Sequence, residues 1–155
     1  MSLPSQSPDE ERLAFFVGDW DNSGRALPGP TGPGGPVSGS TSYRWGNGGK
    51  WLLYTSRLNL PVVGAYEVRG GVIWNSHRGK YDAYAANSLG NLMVYEGEWA
   101  DDATLVLTLV HPKPGAARVV YRKLPDGVFG MTSENVSADG EFAIHVELGF
   151  VRSQP

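Results

Sequence analysis

Hydrophobic and polar residues alternate along most of the chain after residue 38. The last alternating segment is the clearest, because its apolar residues occupy every second position: Phe142, Ile144, Val146, Leu148 and Phe150. A period of two is typical of a β-strand that has one buried face. Clusters of Gly, Pro, Asn and Asp separate the alternating segments, as turns do between neighbouring strands.

About ten strands are predicted from this pattern. The first opens at Gly18-Asp19-Trp20 and continues to Ala26, and the others cover 38–45, 51–58, 65–74, 80–86, 91–99, 104–110, 117–124, 128–136 and 141–152. Their short connections favour antiparallel neighbours in a meander. Closure of such a meander removes exposed strand edges. We therefore predict an all-β protein, a closed antiparallel up-and-down β-barrel with a short N-terminal helix.

The helix is predicted from a capping box in Ser7-Pro8-Asp9-Glu10, with Ser as the N-cap, Pro at the first helical position and Glu at the third. Leu13, Phe16 and Val17 then share one face, and Gly18 ends the helix. A helix of about ten residues is marginal in isolation. We therefore expect its apolar face to be docked on the barrel.

The segment Pro28–Pro36 consists almost entirely of Pro and Gly. Proline removes a donor that a strand ladder needs, so the segment is predicted to be a long loop between the first two strands. A second interpretation is a lid over the mouth of a cavity, because long loops are often functional.

One face of each strand should point into the barrel. The large aromatic residues at the predicted inward positions are Tyr43, Trp45, Tyr66, Trp74, Tyr95 and Trp99. A barrel of about eight strands can hold one small ligand. Apolar walls with a few hydroxyl and indole donors are typical of small-molecule sites. We therefore predict that these six residues bind a small hydrophobic or aromatic molecule. The alternative is that the rings fill the barrel and leave a ligand-free structural module, which could pair as a homodimer.

Length and composition narrow the class of protein. The 155 residues fit one domain, placed at residues 7–153, with residues 1–6 as a disordered N-terminus or vector-derived residues. The net charge of −3 argues against a nucleic-acid surface. Without cysteine, disulfides and thiolate metal sites are excluded. No signal-peptide pattern or apolar run of about 18 residues is present, so a cytoplasmic protein without a membrane partner is expected.

Residue types that support catalysis are present but poorly arranged. Ser76, His77 and Asp82 contain the elements of a hydrolytic triad, but neighbours on a turn diverge and no nucleophile elbow is present. The carboxylate pairs Asp101-Asp102 and Asp19/Asp21 have no matching ligands for a metal. We therefore expect no catalysis and no metal.

The helix, the Gly18-Asp19-Trp20 motif and the late Arg152 resemble the Gly-x-Trp signature of lipocalin-like, or calycin, barrels. This resemblance implies that Trp20 closes the barrel base and that Arg152 packs across its ring, a cation–π contact of about 0.5–2 kcal/mol. Several further motifs are similar to an uncharacterised bacterial branch of these barrels: Tyr43-Arg44-Trp45, Gly49-Lys50-Trp51-Leu52, Tyr66, Ala83–Gly90, Gly97-Glu98-Trp99 and Ser137–Gly140. The branch has no agreed activity.

The chain also resembles nitrobindin-type barrels, which implies haem bound through His145. It departs from their opening motif Gly-x-Trp-x-Gly-x-Gly, since Asp21-Asn22-Ser23-Gly24 follows the tryptophan. The alternation of the last strand also predicts that His145 and Glu147 face outward, unless a one-residue bulge reverses them. Enclosure of a small molecule without a cofactor is therefore preferred, with haem binding as the alternative.

Overall fold

The computed structural model describes residues 6–30 and 32–154. A single turn of α-helix, α1 (Pro8–Glu11), is followed by a 3₁₀ helix at Arg12–Phe16. Ten strands follow: β1 (Gly18–Ala26), β2 (Gly35–Gly46), β3 (Trp51–Leu60), β4 (Gly64–Asn75), β5 (Lys80–Asn87), β6 (Leu92–Trp99), β7 (Thr104–His111), β8 (Ala117–Lys123), β9 (Phe129–Val136) and β10 (Phe142–Arg152).

The strands form one closed antiparallel barrel in which each strand pairs with its neighbours in sequence. The first and last strands close it, with Trp20 opposite Arg152 and Ala26 opposite Val146. The predicted fold class is confirmed. Closure follows from local rules, because short turns keep consecutive strands adjacent and the final pairing removes the two remaining edges.

The helical segment closes one end of the barrel, which we call the helix end. The predicted capping box is present: Glu10 N donates to Ser7 Oγ at 3.3 Å, and Ser7 N donates to Glu10 Oε1 at 2.8 Å. Leu13 and Phe16 are buried against the strands, as their spacing predicts. The helical segment runs from Pro8 to Phe16, close to the expected length, and tightens to a 3₁₀ helix after one α-helical turn.

Aromatic rings pack beneath the helix. Trp20 is fully buried, and its Nε1 donates to the carbonyl of Phe16 at 2.8 Å. Its ring meets Phe129 edge-on at 4.7 Å between centroids, and Phe129 stacks on Phe150 at 4.1 Å. Such pairs add about 0.5–1.5 kcal/mol each to the burial of their surface. The helix, β1, β9 and β10 are thereby fixed together.

In the last strand, the side chains do not alternate between the two faces throughout, as was predicted. Ile144 pairs with Glu134 and Val146 with Ser133, so His145 is an extra, bulged residue. The inward-facing residues of β10 are therefore not the same alternate residues before and after the bulge. Val146 faces inward as predicted, whereas Ile144 lies on the outer face. Phe142 also lies outside, beneath the guanidinium of Arg118, so its predicted inward position is wrong.

The Pro- and Gly-rich segment is shorter as a loop than predicted. Gly35 and Pro36 already belong to β2 and pair with Ala26 and Arg25. Before them, Gly29 and Gly32 form an isolated bridge. Thr31 lies outside the described residues, as do residues 1–5 of the predicted N-terminal segment. Among the described residues, no helix is long and apolar enough to cross a membrane.

Candidate functional site

The barrel is packed at the helix end and more accessible at the opposite end, which we call the open half. Inward-facing side chains near the helix, such as Leu13, Leu52 and Leu105, are almost fully buried. Near the opposite strand ends Val37 and Leu109 are buried as well. Several other inward-facing side chains there are only half-buried, and the main ones are Leu58, Tyr66, Met93, Val119, Ser133 and Val146. The open half therefore presents a partly accessible apolar surface, as small-molecule sites do.

Little space remains between the helix and the middle of the barrel. The void there amounts to about 10 Å³, which is close to the minimum for one water molecule. It is lined by Leu13, Phe16, Tyr43, Leu52, Tyr54, Val72, Leu105 and Tyr121. A ligand of more than a few atoms therefore does not fit in this void.

Tyrosine rings extend from this packed region into the open half. Five strands contribute one each: Tyr43, Tyr54, Tyr66, Tyr95 and Tyr121. The rings of Tyr43 and Tyr54 lie 5.4 Å apart, and the Tyr43 and Tyr121 side chains both line the void. Burial raises the pKa of all five phenols. They therefore stay neutral over the physiological pH range.

The position of Tyr54 depends on a glycine in the next strand. A Cβ atom at Gly70 would lie 2.4 Å from Cζ of Tyr54, so only glycine leaves room for this ring. Glycine within a strand often marks a close approach of this kind. Tyr54 and Tyr121 were not among the predicted ligand-binding residues. Tyr54 could have been found, because a hairpin folded about Asn47–Gly49 places it opposite Tyr43.

The six predicted aromatic residues separate into two groups. Tyr66 and Tyr95 belong to the tyrosine set near the open half, and Tyr43 lies deeper, beside the void. The tryptophans lie towards the helix end. Trp99 Nε1 donates to Tyr81 Oη at 3.0 Å, and Trp74 meets the Tyr81 ring at 4.9 Å.

Tyr81 connects this tryptophan group to the helix, because its hydroxyl donates to the carbonyl of Asp9 at 2.5 Å. The third tryptophan, Trp45, is partly buried against the core and lies opposite Leu52, which lines the void. Trp45, Trp74 and Trp99 therefore contribute to the packing of the helix end.

The bulge turns His145 towards the barrel interior. Its Nε2 lies 3.3 Å from the hydroxyl of Ser133, which shares the inward face of β9 with the buried Phe129. Its Nδ1 is buried without a hydrogen-bond partner. The expected outward orientation of His145 is therefore wrong. Burial lowers the pKa of this imidazole, which favours its neutral form.

A polar relay crosses the inner face of β1, β2 and β3. Thr41 Oγ1 donates to Asn22 Oδ1 at 3.0 Å and lies 2.8 Å from Ser56 Oγ. Asn22 is 4% exposed, and its Nδ2 has no hydrogen-bond partner. A buried donor without an acceptor costs about 1–3 kcal/mol. Sequence reasoning missed Asn22, although its spacing of two from Trp20 places both on one face.

The other predicted groups lie apart from the open half. Arg152 packs over the ring of Trp20 at the helix end, with 3.8 Å between the guanidinium carbon and the ring centroid. His77 is exposed in a turn, and Asp82 binds Asn75 and Arg78 on the outer face. Within the described part of the chain, no group of three or more His, Asp or Glu residues could hold a metal ion.

The paired carboxylates have local partners. Asp19 accepts from Arg44 at 2.9 Å, and Asp21 accepts from the hydroxyl of Ser153 at 2.8 Å. Asp101 accepts from the backbone N–H of Ala103 at 2.8 Å. Their positions at turns and strand starts are explained by these contacts.

Comparison with known families finds one match over nearly the whole chain. The family DUF1579, described as a protein of unknown function, matches residues 5–152. A comparison with curated proteins finds no significant match.

Two solved structures are similar to this chain to different degrees. The crystal structure of Rv2717c from M. tuberculosis is similar with a TM-score of 0.71 and 14% sequence identity, over 97% of this chain and 100% of that one. A redesigned β-barrel, b11L5F_LGL, has a TM-score of 0.46 and 12% identity, over 92% and 96% of the two chains. The likeness to Rv2717c shows a shared fold.

Proposed function

Since the chain belongs to the DUF1579 family, whose description carries no activity, we propose a function from the geometry of the barrel. We propose that the protein binds a small apolar or aromatic molecule in the open half, by enclosure and without covalent chemistry. The observation that carries this proposal is a half-buried apolar surface in which two buried nitrogens, Asn22 Nδ2 and His145 Nδ1, lack partners.

The walls of the open half supply the affinity. Leu58, Met93, Val119 and Val146 are half-buried there, and covering their remaining apolar surface contributes about 25 cal/mol for each Å². The tyrosine rings add faces on which an aromatic ligand can stack. Filling this end of the barrel is therefore favourable for an apolar molecule of suitable size.

Polar groups among these walls supply orientation. The hydroxyls of Tyr66 and Tyr95, the amide of Asn22 and the imidazole of His145 are spread over a largely apolar interior. A few polar groups on apolar walls are the usual basis of ligand specificity. This arrangement supports binding.

Native mass spectrometry of gently purified protein tests the proposal. We expect an added mass that is lost on denaturation and that is identified as an apolar or aromatic molecule. A clean apo mass, together with no binding of apolar probes, would contradict the proposal and favour the ligand-free module. The same spectrum reports whether the chain forms the homodimer considered above.

A second candidate function is haem binding through His145, and the β-bulge is the observation that favours it. The bulge gives the neutral imidazole an inward orientation, with one ring nitrogen unpartnered and buried. Such an imidazole is a suitable iron ligand. Haem would supply redox or gas-binding chemistry, while the half-buried apolar walls would contact the macrocycle.

Titration with hemin distinguishes this candidate from the first. If His145 ligates iron, a shifted Soret band develops in the wild type and in His77→Ala, but not in His145→Ala. His77 is a matched control because it is exposed in a turn. An unshifted Soret band in the wild type, or the same band in His145→Ala, would contradict haem ligation by this residue.

A further inference from the structure

The side chains that line the open half bear on the charge of a ligand as well as on its apolarity. We infer that its ligand is an uncharged molecule that carries a hydroxyl or carbonyl group, and that anionic analogues of the same shape are rejected. This inference rests on the proposed function and specifies its ligand class.

Charged side chains on the strands lie mainly on the outer face. Several form ion pairs there: Arg25–Glu147 at 2.6 Å, Arg57–Glu67 at 3.1 Å, Arg78–Asp82 at 3.0 Å and Arg118–Glu134 at 2.9 Å. The alternation of each strand keeps these positions away from the interior. They are therefore separated by the sheet from a ligand inside the barrel.

On the described strands, two cationic residues occupy inward positions, and both are at the helix end. The Lys123 ammonium lies 5.0 Å from the ring centroid of Phe15 and 4.9 Å from that of Trp99. Arg152 lies over Trp20. The packed region around Phe16 and Tyr43 separates both from the open half. Among the described residues, the strand positions facing the open half carry no Asp, Glu, Lys or Arg.

The polar groups that do face the interior are neutral. Burial keeps the tyrosines protonated and His145 unprotonated, as their pKa shifts indicate. The Asn22–Thr41–Ser56 relay is composed of an amide and two hydroxyls. An anion placed here would lose its hydration without gaining a cationic partner, which disfavours its binding.

The unpartnered nitrogens indicate which neutral groups the ligand carries. Asn22 Nδ2 is a donor and requires an acceptor oxygen, which a carbonyl or hydroxyl provides. The second unpartnered nitrogen, Nδ1 of His145, can accept from a hydroxyl or donate to an oxygen, according to the tautomer. A hydrocarbon would leave both nitrogens unsatisfied, so an oxygen-bearing neutral molecule is preferred.

A matched pair of probes tests the inference in the wild-type protein. 2-Acetylnaphthalene and 2-naphthoate share a ring system and differ in charge at pH 7.5. We expect the ketone to bind at least about 100-fold more tightly, because the carboxylate must be desolvated without a partner. Tryptophan fluorescence or calorimetry gives both affinities. Binding of the two probes within threefold would overturn charge selection but leave the proposed function standing. If neither probe binds, both proposals are contradicted.

A charge introduced into the open half gives a second test. Ser133→Lys places a cation beside His145, whereas Thr108→Lys makes the same charge change at an exposed position outside the barrel. We expect Ser133→Lys to bind 2-naphthoate at least tenfold more tightly than wild type, and Thr108→Lys to match wild type. Circular dichroism checks that both variants fold. Equal naphthoate binding by two folded variants would count against the inference. If Ser133→Lys does not fold, the probe comparison in the wild type decides.

Discussion

Arg152 holds Trp20 and the end of the 3₁₀ helix together. Its guanidinium carbon lies 3.8 Å from the centroid of the Trp20 ring, and its Nη1 and Nη2 donate to the carbonyls of Val17 and Phe15 at 2.6 and 3.0 Å. The last residue of β10 therefore caps the helical segment that enters β1. One planar side chain fulfils both roles because guanidinium can stack and donate at the same time.

Replacing this clamp should destabilise the barrel. Arg152→Ala removes the stacking contact and two hydrogen bonds, and we expect it to lower the free energy of unfolding by about 1–3 kcal/mol. Urea unfolding measures the change. Arg122→Ala is the control, since Arg122 is exposed and makes only a 3.4 Å contact with Thr132. Equal stability of the two variants would show that the clamp contributes nothing.

Gly18 is coupled to the same clamp. Its φ is +134°, and a Cβ atom would lie 2.5 Å from Nη1 of Arg152. Gly18→Ala should therefore lower the free energy of unfolding by about 1–3 kcal/mol through backbone strain and displacement of the guanidinium. Gly29→Ala is a matched control, because a Cβ atom at Gly29 would contact nothing within 4 Å.

A double-mutant cycle separates these two causes. If displacement matters, Gly18→Ala costs less in the Arg152→Ala background than in the wild type. If the two losses of stability are strictly additive, backbone strain accounts for the whole effect of Gly18→Ala.

The two groups of aromatic residues should differ in their effect on ligand binding. Tyr95→Ala removes a ring near the open half, and we expect it to weaken binding of 2-acetylnaphthalene by about tenfold, the equivalent of roughly 1.4 kcal/mol. Trp99→Phe changes the packing beneath the helix, so affinity should stay within twofold while the melting temperature falls. Calorimetry and thermal unfolding give both quantities. The reverse pattern would place the ligand at the helix end.

His145 should make stability depend on pH. Because burial lowers the pKa of its imidazole in the folded state, the unfolded chain binds the proton more readily below about pH 6.5. Stability is then fully present above that pH and is lost as pH falls, by up to about 1.4 kcal/mol for each pH unit. Urea unfolding at pH 7.5 and 5.5 measures the loss.

Two variants test whether His145 causes this pH dependence of stability. His145→Gln should lose less stability than the wild type between the two pH values, because no imidazole remains to be protonated. His77→Gln, at an exposed turn position, should behave as the wild type. An unchanged pH dependence in His145→Gln would assign the effect to other groups.

Local signals in the sequence were sufficient for the fold. The capping box at Ser7–Glu10 is present, and the ten strands were recognised from alternation and turn residues. These signals act between residues close in sequence, which is why they can be interpreted without coordinates. The alternation of β1 also places Asn22 on the inner face beside Trp20, although Asn22 was not recognised as an interior residue from the sequence.

The bulge at His145 could not be predicted in the same way. The alternation from Phe142 to Phe150 is unbroken, yet the pairing with β9 shifts between Ile144 and Val146. A bulge depends on how two strands fit each other, and the sequence of one strand does not contain that information. The shift decided which way the imidazole points, and with it the case for a haem ligand.

The sequence by itself determined the class of fold, the number of strands and the presence of many aromatic residues at interior positions. These properties depend on the local pattern of residues and on the need to remove strand edges. Only the tertiary structure decided how the rings are divided. Trp45, Trp74 and Trp99 pack at the helix end, whereas Tyr66 and Tyr95 lie near the open half. Strand stagger and the docking of the helix set that division, and both arise from contacts between residues far apart in the chain.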